Sequence, residues 1–209
     1  SGGDDDGEAA VATAPLTRQA DGSIVMARPG VTGPVLEVFE DFQCPACQKF
    51  EDASGKTIKE LAAAGEVKVV YRPFSLFFQA PEPTKSNSTR ALNASFCAPA
   101  DKWVAYHDKL FKEQGPENTI GFENEDLISW AEDVGITGSA FETCVKDGQK
   151  NSMIPQANTA AQKAGVESTP WVTLNGRKLD QNVTFVPGAL REAVTSAPNT
   201  ATTTPSSKS

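Results

Sequence analysis

Two short apolar runs with a helical pattern between them constrain this chain more than any other feature. Val35-Leu36-Glu37-Val38-Phe39 and Val67-Lys68-Val69-Val70-Tyr71 are rich in β-branched and aromatic residues, so both predict strands. Between them Cys47, Phe50, Ser54, Ile58 and Leu61 recur at intervals of three and four, and Gly65 follows where a helix would close. Strand, helix, strand in that order predicts a parallel βαβ unit.

The remainder of the chain falls around this unit. Ser23–Arg28 is a weaker strand candidate. From about residue 86 to 165 strand signals vanish. Trp103, Tyr106, His107, Leu110 and Phe111 form one helical stripe with Asp101 placed to cap it. Leu127, Trp130, Ala131 and Val134 form another, with Asn124 as its cap. Phe141 to Val145 and Met153 to Ala164 supply two more. Strands return at Trp171-Val172-Thr173-Leu174 and Arg177-Lys178-Leu179, joined by Asn175-Gly176, a strong hairpin signal. Pro187 opens a closing helix with Leu190 and Val194 on its apolar side. The expected fold class is α/β with an all-helical insertion: residues 23–85 form the first part of the sheet domain, 86–165 the insertion and 166–196 the second part.

The ends differ in character. Residues 1–22 carry Asp4, Asp5, Asp6, Glu8 and Asp21 against Arg18 among small residues, and are expected to be a disordered arm. Residues 197–209 are a low-complexity tail of Ala, Pro, Asn, Thr and Ser with one Lys. The net charge of −8 argues against a nucleic-acid partner. No apolar run approaches the roughly 18 residues that would cross a bilayer. No targeting segment is visible at Ser1, so the sequence has the look of a mature or truncated soluble piece.

The chemistry concentrates at Cys44-Pro45-Ala46-Cys47, where the first strong strand gives way to its helix. Pro45 suits the first helical turn, because the N–H it lacks would have no partner there. Cys44 then meets unpaired backbone N–H groups at the positive end of the helix dipole, and both favour the thiolate that carries out disulfide exchange. Cys47, one turn on, can close a disulfide with it and would resolve a mixed disulfide rather than start one. The competing use of such a pair is half of a zinc site. Zinc knuckles supply a second close pair, whereas Cys97 and Cys144 are isolated and His107 is the one histidine, so no metal is expected here. A second feature is Ser168-Thr169-Pro170-Trp171, a proline opening an apolar strand. It either merely ends a loop or is a cis peptide that turns the chain toward the Cys44 helix end and shows a peptide edge to substrate.

With these elements in place the sequence resembles the DsbA-like thiol–disulfide oxidoreductases over about residues 23–196. The stretch Phe39-Glu40-Asp41-Phe42-Gln43-Cys44-Pro45-Ala46-Cys47 is similar to the family's active-site segment, Trp103–Phe111 to a helix of its inserted domain, and Thr169-Pro170 falls where the family has its cis-proline. The resemblance implies a thioredoxin fold interrupted by helices, in an exported or membrane-anchored bacterial protein, the anchor preceding Ser1. It implies an enzyme with Cys44 and Cys47 as catalytic residues, Pro45, Ala46, Thr169 and Pro170 beside them, and no cofactor beyond the Cys44–Cys47 disulfide. Expected partners are unfolded exported proteins with free thiols and a membrane reoxidase of the DsbB or VKOR type, with the enzyme itself a monomer. The expected activity is disulfide formation. Isomerase or reductase use of the same site is the alternative, and a metal- or peptide-binding module is a more distant one. The family's best-known oxidase has His where this chain has Ala46, and an imidazole there would favour the thiolate, so a less oxidising couple is expected. Val38 stands six positions before Cys44, where thioredoxin-like folds often keep a buried acid, with Glu37 and Glu40 nearby.

Four cysteines permit three pairings, of which 44–47 with 97–144 is the natural one beside a CPAC motif. Cys97–Cys144 would close a loop of about 48 residues as a structural disulfide, or else serve as a second relay pair. His107 is expected to be a partly buried helix residue with one hydrogen bond rather than a catalyst. Phe74, Phe77 and Phe78 are candidates for an apolar peptide-binding patch or for core. Asn87, Asn93 and Asn182 lie in sequons, which matter only in a glycosylating host.

Overall fold

The computed structural model describes residues 13–199. The βαβ unit forms as the pattern predicts: β3 (Val35–Glu40) and β4 (Lys68–Pro73) pair in parallel across α1 (Pro45–Ala63), which Gly65 follows at φ 75°. Around it lie β1 (Leu16–Arg18), β2 (Ile24–Met26), β5 (Trp171–Leu174) and β6 (Arg177–Lys178). The sheet order is β1-β2-β4-β3-β5-β6, and every contact except β3–β4 is antiparallel. β3 therefore runs through the interior, with β4 on one side and β5 on the other.

Alternation along β3 assigns its two faces. Leu36 and Val38 enter the main core with Phe50, Ile58 and Leu61 of α1 and with Leu190 and Val194 of α8 (Pro187–Ser196). Phe39 points the other way, packing edge-on against Phe74 at 6.4 Å beside Ala161 of α6 (Ile154–Lys163). Between β4 and β5 stands the helical insertion: α2 (Thr84–Cys97), α3 (Trp103–Lys112), α4 (Asn124–Asp133), α5 (Ser139–Lys146) and α6. Trp103, Tyr106, Leu110 and Phe111 of α3 join the main core, so sheet and insertion share one interior. A four-residue helix, α7 (Gln181–Thr184), precedes α8.

The structure corrects several expectations. The expected disordered arm reaches too far: β1 lies inside it, held by Arg18, whose guanidinium donates to the carbonyls of Gly22 (2.9 Å) and Ala98 (2.8 Å). A three-residue strand secured by one side chain leaves almost no apolar pattern to detect. The rest of the arm, residues 1–12, and the tail from 200 on lie outside the described residues. Neither Asp101 nor Asn124 caps a helix: Asp101 belongs to a 3-10 turn before α3, and Asn124 is itself the first residue of α4. α2 has no large apolar stripe to announce it, because Asn87, Ser88, Asn93 and Ser95 share its buried positions with Ala91, Leu92, Ala94 and Phe96. Two of these are sequon asparagines, and both work as internal ties: Asn87 donates to Thr119 O (2.8 Å), and Asn93 accepts from Lys150 N (2.8 Å).

Cys97 and Cys144 form a disulfide with Cα atoms 5.9 Å apart, joining the end of α2 to α5. Closing a loop of this length restricts the unfolded chain. Replacing both cysteines by alanine should lower unfolding free energy by up to about 4 kcal/mol, read as a lower denaturant midpoint with an unchanged far-UV spectrum. An unchanged midpoint would mean that the disulfide does not stabilise the helical block.

Candidate active site

Cys44 occupies the N-cap of α1 in extended backbone, with Pro45 as the first helical residue. Its carbonyl starts the helix by accepting from Cys47 N (3.1 Å) and Gln48 N (3.3 Å). Asp41 sets the approach: its backbone carbonyl accepts from Cys44 N (2.9 Å), while its carboxylate accepts from Gln43 N and Leu76 N (2.8 Å each) and the Ser88 hydroxyl (2.7 Å). From the far side Gln114 donates to the carbonyls of Phe42 (2.7 Å) and Cys44 (3.0 Å). Strand, insertion and post-β4 loop thus all hold one short turn.

The two thiols are free and differ in setting. Cys44 is 6 % exposed and Cys47 is 0 % exposed. Cys44 is lowered to about 6, chiefly by its hydrogen bond from the Cys47 thiol, with Thr169 and the backbone N–H groups of Ala46 and Cys47 adding to it against a cost from burial. Burial pushes the Cys47 thiol well above its ordinary value, reinforced by its bond to Cys44 and by the charge of Glu40. The pair therefore divides into a stable thiolate and a stable thiol.

The Thr169–Pro170 peptide is cis, and it brings the Thr169 carbonyl to 3.7 Å from Cys44 Sγ. Of the sequence-predicted residues, Cys44, Pro45, Ala46, Cys47, Thr169 and Pro170 come together here, whereas Cys97 and Cys144 are paired within the insertion. Phe74 is buried, and Phe78 is 43 % exposed on an open groove of about 510 Å³ shared with Leu76, Pro155 and Val166.

Sequence reasoning missed the charged cluster behind Cys47. His107 is 2 % exposed and bonded on both sides: Nε2 to Glu40 Oε1 (2.9 Å) and Nδ1 to Asp108 Oδ1 (2.8 Å), with Glu51 Oε1 3.5 Å from Nε2. Burial opposes the imidazolium, yet Glu51, Asp108 and Glu40 outweigh it and raise His107 to about 10. Burial pushes the Glu51 carboxyl up, and the Glu40 charge adds to this while His107 opposes it. The stable arrangement sets charged His107 against Glu40 and Asp108, with Glu51 holding a proton. The usable signals were Glu51, one helical turn after Cys47 on the same face of α1, and Glu40, which shares a face of β3 with Val38.

A free thiol pair at a helix N-terminus, beside the carbonyl of the residue that precedes a cis-proline, is an arrangement suited to thiol–disulfide exchange. The thioredoxin family profile matches residues 32–193, so the chain belongs to the thioredoxin family. Among solved structures it is similar to reduced DsbA from Mycobacterium tuberculosis (26 % identity, 88 % of each chain covered, TM-score 0.67). It is also similar to MdbA, a thiol-disulfide oxidoreductase from Actinomyces oris (22 %, 79 % of this chain and 81 % of the other, 0.68), and to oxidised BdbD from Bacillus subtilis (19 %, 88 % and 96 %, 0.70). These neighbours are thiol–disulfide oxidoreductases, and their fold, a thioredoxin domain with a helical insertion, is the fold of this chain. No curated protein matches the sequence significantly. No helix among the described residues is long and apolar enough to cross a membrane.

Because only the thiolate alkylates, the rate of iodoacetamide reaction at Cys44 should rise with pH up to about 6 and level off above it. Mass spectrometry across pH should find Cys47 unmodified throughout the neutral range; a half-point near that of an ordinary cysteine would remove the basis for an activated Cys44.

Proposed function

We propose that this protein is a disulfide donor, an extracytoplasmic thiol–disulfide oxidoreductase that introduces disulfides into unfolded exported proteins. The observation that carries this reading is the asymmetry of the pair: Cys44 lowered to about 6 at the helix end, Cys47 sealed beneath it. A substrate thiolate attacks Cys44 Sγ and breaks the Cys44–Cys47 bond. Cys47 leaves with the electron pair and takes up a proton. A second substrate thiolate then attacks the substrate sulfur of the mixed disulfide, and Cys44 departs as a thiolate. The substrate loses two electrons and gains a disulfide, and the enzyme gains the two electrons. A low pKa makes Cys44 a good leaving group, which favours this direction.

Extended substrate would lie along the Thr169-Pro170 edge beside Cys44, and apolar side chains would use the groove at Leu76 and Phe78. No cofactor beyond the cysteine pair is needed. A membrane reoxidase of the DsbB or VKOR type would restore the disulfide. The Cys97–Cys144 bond supports an oxidising compartment.

Equilibration with glutathione tests the direction. A reduction potential of about −120 to −180 mV is expected of a donor, and one of about −270 mV would make the protein a reductase. Cys44→Ser should abolish oxidation of a reduced, unfolded substrate, and Cys47→Ser should accumulate mixed disulfides; turnover retained in Cys44→Ser would overturn the assignment. Ala46→His, by adding a donor or positive charge near Cys44, should lower its pKa further and raise the potential; an unchanged potential would exclude position 46 as a determinant of the couple.

A further inference from the structure

Three potential ligands from three rigid elements converge behind the active-site turn. Glu40 comes from the end of β3, Glu51 from α1 and His107 from α3. One donor atom of each lies within 4.8 Å of the other two. The His107 Nε2 distances, 2.9 Å to Glu40 Oε1 and 3.5 Å to Glu51 Oε1, bracket the roughly 3.4 Å that separates two ligands on a tetrahedral ion with bonds of about 2.1 Å.

A second observation points independently to a ligand. Glu40 Oε2 and Glu51 Oε1 have no hydrogen-bond partner, although their side chains are only 3 % and 8 % exposed. A buried acceptor left in that state is destabilising, and Nε2 lies within hydrogen-bonding distance of Glu40 Oε1 at 2.9 Å but 3.5 Å from Glu51 Oε1. The imidazole is also aimed as metal-binding imidazoles are. Its Nδ1 is bonded to Asp108, which is paired in turn with Lys59, so Nε2 faces the two glutamates. Phe42, Tyr71, Trp103 and Phe111 pack around the ring with centroids 4.9 to 5.8 Å away, fixing its orientation and excluding water.

We propose that Glu40, Glu51 and His107 form a binding site for a divalent transition-metal ion, with zinc the best match. One imidazole and two carboxylates suit zinc, whereas calcium and magnesium take all-oxygen sets. Two carboxylates and a neutral imidazole carry a charge of about −2, which a divalent ion cancels, so filling the site leaves no net charge in the core. Because Glu40 and Glu51 belong to the sheet domain and His107 to the insertion, the ion clips the two together, and binding stabilises the fold by mass action. The site shares no ligand with the CPAC thiols and does not depend on the direction of the redox reaction.

The chain holds a single histidine, so one imidazole NMR signal reports on the site directly. The experiment uses untagged protein with Cys44 and Cys47 closed as a disulfide, so that no thiolate can bind the ion. Titration with zinc chloride should move or replace the His107 signal, saturate at about one equivalent and raise the melting temperature. Calcium chloride at equal concentration should do neither. Glu51→Gln, and separately Glu40→Gln, should weaken zinc binding by about tenfold or more, with far-UV spectra verifying that each variant is folded. A His107 signal unmoved by stoichiometric zinc overturns the proposal, and this holds even if neither variant folds. Folded variants that bind zinc as the unaltered protein does would also overturn it. Either result would leave the cluster a charge network held by protons, and the glutathione measurement of the active site would stand apart from it.

Discussion

The candidate active site rests on one buried carboxylate. Asp41 is 0 % exposed, and burial pushes it up to about 6 even though the Ser88 hydroxyl and the backbone N–H groups of Gln43, Phe77 and Leu76 all pull the other way. Those donors come from the turn before Cys44, the loop after β4 and helix α2. One side chain therefore fixes the strand–helix junction against both neighbours. If the junction shifted, Cys44 would lose its place at the N-cap, and with it the backbone N–H groups that favour a thiolate.

Three residues along one helix then separate two identical side chains chemically. The first turn of α1 is open at its N-terminal end and closed along its flank, so Cys44 meets N–H donors at the rim while Cys47 enters the apolar core. The thiol of Cys47 donates to Cys44, so the same hydrogen bond lowers one pKa and raises the other. A stable thiolate at the less deeply buried sulfur and a protonated, fully buried second sulfur would give exchange a fixed point of entry. The causes that lower Cys44 are hydrogen bonds rather than a neighbouring cation, which fits Ala46 at the position between proline and the second cysteine.

Legibility in the sequence followed apolar periodicity. β3, α1, β4, β5 and α8 were visible because their core positions are mostly Val, Leu, Ile and Phe at periods of two or near four, and the β5–β6 hairpin because Asn175-Gly176 marks its turn. The CPAC pair was visible because its placement between strand and helix has a direct electrostatic meaning. α2 was not visible, since half of its buried positions are Asn and Ser, two of them tied to the loop backbones at Thr119 and Lys150, a pattern that only the partners make intelligible. β1 was lost for the opposite reason: it depends on Arg18 reaching the carbonyl of Ala98, 80 residues away, and no local rule contains that contact. His107 was undervalued because periodicity places a histidine in a stripe without saying what faces it across the interface.

The acid cluster shows how such a site can be recovered from parity. Val38 fills the position where thioredoxin-like folds often bury an acid, and taken alone it suggests that the charge is gone. A strand repeats every two residues, however, so Glu40 projects from the same face of β3, one pleat closer to the helix. The α-helix supplies the next term: Glu51 lies four residues after Cys47, on the flank that turns toward that face. The stripe of α3 that packs there must then place a side chain opposite two carboxylates. It places His107, with Trp103 and Phe111 one turn to either side sealing it from water. Two buried acids would repel each other and leave the core charged if left alone. A proton on Glu51 together with the imidazolium of His107, or a divalent ion in their place, offsets that charge.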